Sequence, residues 1–318
     1  MMEMQEYSPK IQQLARDLLA EGRVDMVFGF AKGSLPLVSM PYCARKPEEC
    51  ENLVIDSCSH MNLANYLTDR KETIGVIARG CDSRSIVNHI VENKITREQL
   101  VIIGVPCTGL IDKRKVAAAY EGDITAVEAV DGQVIVNGAA GEKQLEKAAV
   151  MDDCCAVCVH RNPVIYDELA GDLVEEQAGE DRYEMVDAVE EMSDADRWQY
   201  FEDLYADCIR CYACRNACPL CYCPTCFVDE SGPQWVGKGQ DETDVRTFHF
   251  LRAYHCAGRC VDCGACVRAC PMGINVRILT KKLEKDCREL FDWETGLSTE
   301  QRPALDTYSP NDPELIFK

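Results

Sequence analysis

Eight cysteines arranged as two copies of one spelling constrain this chain more than anything else in it. The first copy is Cys208-x2-Cys211-x2-Cys214-x3-Cys218-Pro219, and the second is Cys260-x2-Cys263-x2-Cys266-x3-Cys270-Pro271. Three thiols at x2 spacing wrap one corner of a cube, because the short turns aim successive sulfurs inward. The x3 step followed by proline turns the chain away. This spacing binds [4Fe–4S] clusters, with the fourth cysteine of each run reaching the other cluster. The expected ligand sets are Cys208, Cys211, Cys214 and Cys270 for one cluster, and Cys260, Cys263, Cys266 and Cys218 for the other. A lone CxxC pair reads as zinc or thiol redox chemistry. Zinc, however, closes with four ligands in two pairs, and two complete runs leave little room for it. The function has to involve one-electron transfer.

The rest of the composition agrees with a reducing interior. The chain has 21 cysteines in 318 residues and begins MMEMQEYSPK, without a basic region followed by an apolar one. Thiols in that setting are metal ligands rather than disulfides, and a cytoplasmic protein is expected. No apolar run approaches a membrane span. The net charge of −20 argues against nucleic-acid and anionic-membrane partners, which need a basic face. A negative field also disfavours taking on an electron, so it helps hold cluster potentials low.

Residues 1–160 read as an α/β domain, with a mixed or parallel sheet and helices. Ser8-Pro9 opens a helix whose apolar face is Ile11, Leu14, Leu18 and Leu19, and Gly22 ends it. Apolar runs follow at Val24 to Phe30 and Leu35 to Met40. Ile74 to Ala78 and Leu100 to Val105 read as buried strands, with helical periodicity at Ser85 to Glu92 between them, which makes a βαβ unit. Ile124 to Val130 and Gln133 to Val136, joined by Asp131-Gly132, read as a hairpin.

An open α/β sheet keeps its chemistry at the carboxyl ends of strands, and several cysteines fall there. Cys81 follows the Ile74 strand, Cys107 follows the Leu100 strand, and Cys154, Cys155 and Cys158 form a further group. Cys81, Cys107, Cys155 and Cys158 are the candidate ligands of a third [4Fe–4S] cluster, with Cys154 and Cys58 as substitutes. Buried cysteine is also a common small core residue. Gly80-Cys81-Asp82-Ser83-Arg84-Ser85 passes from a strand into a helix N-terminus, so Ser83, Arg84 and Ser85 are a candidate phosphate or flavin site. Asp82 and the hydroxyls read equally as helix caps. There is no G-x-G-x-x-G fingerprint.

Residues 161–195 form an acidic linker: Arg161 to Asp196 carries thirteen acidic residues against two basic ones. Residues 196–285 form an α-rich, bacterial-type 2×[4Fe–4S] ferredoxin domain, entered by a helix at Trp198 to Asp207 and interrupted by an insertion at 219–259. Cys221, Cys223, Cys226 and Cys256 of the insertion either hold another metal centre or pack as spare thiols around the clusters. His249 and His255 read as core or surface residues. Phe248, Phe250, Leu251 and Tyr254 read as a helix shielding the clusters. An amphipathic helix is expected at Ile274 to Leu283, and residues 286–318 form a polar tail that carries the isolated Cys287.

Gly80-Cys81-Asp82-Ser83-Arg84-Ser85, Gly104-Val105-Pro106-Cys107-Thr108-Gly109 and Cys154-Cys155-x2-Cys158 together resemble the beta-subunit family of deazaflavin (coenzyme F-420)-reducing hydrogenase and formate dehydrogenase. Cys208-Ile-Arg-Cys211-Tyr-Ala-Cys214-Arg-Asn-Ala-Cys218-Pro219-Leu-Cys221-Tyr-Cys223 resembles the ferredoxin modules of heterodisulfide-reductase-linked complexes of anaerobes. The resemblance implies an electron-transfer subunit carrying [4Fe–4S] clusters, and often FAD. Its expected partners are a catalytic hydrogenase or formate dehydrogenase subunit and a heterodisulfide-reductase-type flavoprotein. Two functions follow: a relay of single electrons between partner subunits, or an FAD-containing dehydrogenase that splits hydride pairs from a nicotinamide or deazaflavin. No nucleotide fingerprint is present, so the relay is the expectation; no residue is set as a general acid, base or nucleophile, and no catalytic residue is assigned.

Overall fold

A 3-10 turn at Met4–Tyr7 leads into α1 (Ser8–Ala20), whose first turn takes Pro9 without losing a hydrogen bond, since the first N–H groups of a helix have no partner inside it. Ile11, Ala15 and Leu18 bury its inner face, and Gly22, at φ 67°, reverses the chain after it. β1 (Met26–Lys32) and β2 (Ser39–Ala44) pair antiparallel. Pro41, which has no N–H to give a ladder, sits in β2 at the edge of the sheet. β3 (Ile74–Ala78) joins β1 in parallel, α2 (Gly80–Val91) crosses over, and β4 (Leu100–Gly104) returns parallel to β3.

After α3 (Lys113–Ala119) comes a separate antiparallel sheet of β5 (Ile124–Val130), β6 (Gln133–Gly138) and β7 (Gly141–Glu146). Asp131 and Gly132 both have positive φ, 49° and 78°, as the tight hairpin turn between β5 and β6 requires. Short helices α4 (Lys147–Val150) and α5 (Asp153–Ala156) follow. Then β8 (Glu168–Leu169) adds to β4 and completes the main sheet, in the order β2-β1-β3-β4-β8.

Structure is described for residues 3–179, 181–308 and 310 of this computed structural model, which divides into units 1–179 and 180–318. The first unit is the expected α/β region with a mixed sheet. Within the acidic stretch 161–195, residues 161–179 fall in the first unit and the rest in the second. The Asp167 carboxylate accepts the Ile102 N–H at 2.7 Å and meets Arg97 at 2.6 Å, which is how β8 is held to β4.

In the second unit, α6 (Glu184–Glu190) lies against the last long helix, where Lys285 pairs with Asp187 at 2.6 Å and Glu190 at 2.5 Å. α7 (Asp194–Ala206) is capped by Ser193, whose oxygen accepts the Asp196 N–H. Two very short helices, α8 (Ala213–Asn216) and α10 (Ala265–Ala269), pack on each other. α9 (Glu242–His255) fills the insertion, burying Phe248, His249 and Arg252. α11 (Arg277–Phe291) runs past the expected end of its helix into the tail. Beyond it, Trp293 Nε1 and Thr295 Oγ1 donate to the Gly258 carbonyl at 2.8 and 2.9 Å, pinning the start of the tail just ahead of the second cysteine run. Residues 309 and 311–318 of the expected tail lie outside the described residues. Among the described residues, no helix is long and apolar enough to cross a membrane.

One buried ion pair locks the strand–helix corner that carries Cys81. Arg79 and Asp82, each 1% exposed, meet at 2.7 Å, and Arg79 also donates to the Ser59 and Met61 carbonyls at 2.6 and 2.7 Å. Arg79→Leu would leave the Asp82 charge buried without its partner. The expected loss is about 3–5 kcal/mol, read as a lower urea midpoint for the full chain.

Candidate metal centres

The two cysteine runs fold alike. In each run the residues just before and just after the second cysteine are left-handed: Arg210 and Tyr212 at φ 49° and 59°, Asp262 and Gly264 at 55° and 69°. The third cysteines, Cys214 and Cys266, ride on α8 and α10, and Cys270 caps α10. Alternating handedness turns successive N–H groups toward one side and makes a concavity for negative charge. The Asp262 N–H donates to Cys260 Sγ at 3.4 Å, and the Arg210 N–H bonds to Cys208 in the same way.

A non-glycine residue pays about 1–2 kcal/mol to be left-handed, and neighbouring contacts hold these residues there. Arg210 donates to the Gly237 carbonyl at 2.8 Å and the Tyr212 hydroxyl at 3.0 Å. Asp262 is gripped by Arg277 at 2.5 Å and Lys281 at 2.8 Å. Burial alone would raise the Asp262 carboxyl, but those two cations hold it well below the usual carboxylate range.

Cys208, Cys211, Cys214 and Cys270 act on one another. Burial raises Cys208, the Arg210 N–H opposes it, and Cys270 and Cys211 raise it further. Burial pushes Cys214 up to about 11, with Arg252 opposing and Cys266, Cys208 and Cys270 adding. Three of these thiols share an apolar cluster with Tyr205, Phe248, Ile274 and Val276, which keeps water off them. His249 Nε2 lies 3.3 Å from Cys208 Sγ, and its ring stacks on Tyr205 at 4.3 Å. Burial first, then Arg252 and Arg210, pull its pKa down to about 3, so the imidazole is neutral. Its place beside a thiol was not legible in the sequence.

In the other expected set, Cys263 acts on Cys260, whereas Cys218 sits with Cys221 and Cys256, the three Sγ atoms within 4.8 Å of one another. The link back to the second run is Cys256, which also acts on Cys260.

The first unit gathers its own thiols at the carboxyl ends of β3 and β4. Cys81 lies in the first turn of α2, Cys107 follows β4, and the α5 region brings Cys154, Cys155 and Cys158. Burial raises Cys158 to about 11; the His160 N–H opposes this, Cys107 and Cys154 add to it, and Arg84 opposes it. Cys154 and Cys155 have their sulfurs 3.9 Å apart. The Gly109 N–H donates to Cys107 Sγ at 3.4 Å. Cys107 and Cys158 thus each take an N–H from two residues ahead, as Cys208 and Cys260 do. Cys58 is not brought to this group; it packs with Leu37, Ile111 and Tyr120 in a different core.

Ser83, Arg84 and Ser85 are all buried. The Ser83 hydroxyl donates to the Gly80 carbonyl at 2.9 Å and accepts the Val164 N–H at 3.0 Å. Ser85 donates to the Cys81 carbonyl at 3.1 Å and accepts from Asn62 at 3.0 Å. A Cβ on Gly80 would stand 2.0 Å from the His160 carbonyl oxygen, so the chain itself covers this helix end. These residues do not fit a flavin phosphate. Arg84 instead places a buried positive charge beside Cys158.

Fold and thiols together define an α/β unit joined to a 4Fe-4S dicluster domain, whose family model matches residues 204–274. Nearly the whole chain is similar to the beta subunits of F420-dependent formate dehydrogenases, in agreement with the resemblance carried by its motifs. It is 23% identical to F420-dependent formate dehydrogenase subunit beta of Methanocaldococcus jannaschii, with 93% of each chain covered. Identity is again 23% to F420-dependent formate dehydrogenase 1 subunit beta of Methanococcus maripaludis, over 96% of this chain and 94% of that one. A chain of the F420-reducing [NiFe] hydrogenase complex from Methanosarcina barkeri superposes with a TM-score of 0.38 at 16% identity, covering 48% of this chain and 59% of that chain.

Gly264, at φ 69°, tests the backbone account. A β-branched residue there is a steric outlier, so Gly264→Val should lower the iron bound after anaerobic reconstitution.

Proposed function

We propose that this chain is an iron–sulfur electron-transfer subunit of a multi-subunit oxidoreductase, passing single electrons between a formate dehydrogenase-like catalytic subunit and a second redox partner such as a heterodisulfide-reductase-type flavoprotein. The observation that carries this reading is the repeated run, with its paired left-handed residues and its N–H groups directed at sulfur. In the bacterial-type arrangement, Cys208, Cys211, Cys214 and Cys270 hold one [4Fe–4S] cluster, and Cys260, Cys263, Cys266 and Cys218 hold another. Cys81, Cys107, Cys155 and Cys158 hold a third in the first unit, supported by the N–H donors to Cys107 and Cys158. Such clusters, when bound, supply reversible one-electron chemistry.

The protein's own residues set the conditions for that chemistry. Backbone N–H groups and the buried Arg84 and Arg252 stabilise negative charge on sulfur, and the Phe248 cluster excludes water. The chain's net charge of −20 works in the opposite direction, disfavouring a further electron. The donor and the acceptor sit on other chains of the complex, a reading supported by the similarity to formate dehydrogenase beta subunits. Because Ser83 and Ser85 are occupied within the fold, the flavin-bearing alternative has no support at those residues.

Iron, acid-labile sulfide and flavin per chain, measured on anaerobically purified protein, test the reading. Two repeated-run clusters and the third together require at least about twelve irons by the composition of the cube. Cys211→Ser and Cys263→Ser should each lose iron and low-potential EPR signal. Cys287→Ser, in the middle of α11, should change neither. A chain without iron would overturn the proposal.

A further inference from the structure

Four cysteines of the second unit, Cys221, Cys223, Cys226 and Cys256, belong to neither run. All four line one cavity of about 520 Å³. Sequence separation does not explain this: three lie in the loop after α8, while Cys256 caps the far end of α9. The Sγ atoms of Cys221 and Cys256 are within 4.8 Å of each other and of Cys218, so the cavity adjoins the last thiol of the first run.

The cavity also carries cationic groups, beside the Asp229 carboxylate. Arg215, Arg252 and Arg259 all line it. Arg215 is paired with Asp229 at 2.8 Å and also reaches Cys226. Arg252 is different. It is 4% exposed and donates one Nη2 bond to the Cys214 carbonyl at 3.1 Å, and its Nε has no hydrogen-bond partner among the described residues. No carboxylate pairs with it there, and the cavity it lines presents the thiols of Cys221, Cys223, Cys226 and Cys256. A buried guanidinium needs compensating negative charge. Protonated thiols do not provide it, and thiolates bound to a metal centre do.

We propose that Cys221, Cys223, Cys226 and Cys256 hold a further [4Fe–4S] cluster in this cavity. A single zinc ion would draw four sulfurs to about 2.3 Å from one point and leave no open space between them. A roomy cavity lined by both thiols and guanidinium groups suits a larger anionic group. The inference rests on the iron–sulfur reading of this unit, and Arg252 then stands between the thiols of the repeated runs and those of the added site.

The test uses the full chain, purified anaerobically, with Cys223→Ala and Cys226→Ala made separately. Cys223 is exposed, so its removal disturbs little packing, and circular dichroism checks the fold of both variants. Each variant should lose about four irons and four sulfides per chain relative to the unaltered protein, while the EPR signals of the repeated-run clusters remain. Unchanged iron in folded variants would overturn the inference and leave the relay proposal standing, and so would loss of zinc in place of iron. Absence of iron from the unaltered chain would overturn both.

Discussion

A sulfur that carries negative charge inside a protein needs donors aimed at it, and here the backbone provides them. An N–H from two residues ahead reaches Cys107, Cys158, Cys208 and Cys260. The geometry recurs in two units that share no fold. In the second unit it requires left-handed residues beside the middle cysteine of each run, and much of the surrounding structure serves to hold them. Arg210 is held in place by carbonyls of the insertion, and Asp262 by Arg277 and Lys281 of α11.

Buried charge follows from the same requirement. Arg84 lies beside Cys158, and Arg252 among Cys214, Cys218, Cys256 and Cys266. A buried guanidinium charge favours negative charge close to it, so both groups would stabilise anionic sulfur in the working protein. The Asp262–Lys281–Glu284–Arg182 chain of ion pairs extends this electrostatic order from the second run to the start of the unit. Asp262 also pairs with Arg277, and Arg182 with Glu294, so the buried charges of this network compensate one another through shared partners.

Much of this was legible in the sequence because the relevant signals are local. The cysteine spacing marked both runs, Asp131-Gly132 marked the hairpin, and strand–helix–strand periodicity marked β3, α2 and β4. Local signals failed where partners are distant. β7 is mostly exposed and lacks the alternation of a half-buried strand, so it was not anticipated. β8 is two residues long, inside a stretch whose acidity masks its pairing with β4. Ser83 and Ser85 looked free for a phosphate because nothing nearby in sequence announces Val164 and Asn62 as their partners. The meeting of Cys221 with Cys256, and of His249 with Cys208, depends on the path of α9, which spacing alone does not define.

The central claim is that the second unit carries closely spaced centres that exchange single electrons. A redox titration of the full chain followed by EPR tests it most directly. Stepwise, reversible reduction at low potential, with signals that become spin-coupled as neighbouring centres fill, is the predicted result. Iron that cannot be reduced reversibly, or centres that titrate with no magnetic interaction between them, would contradict it.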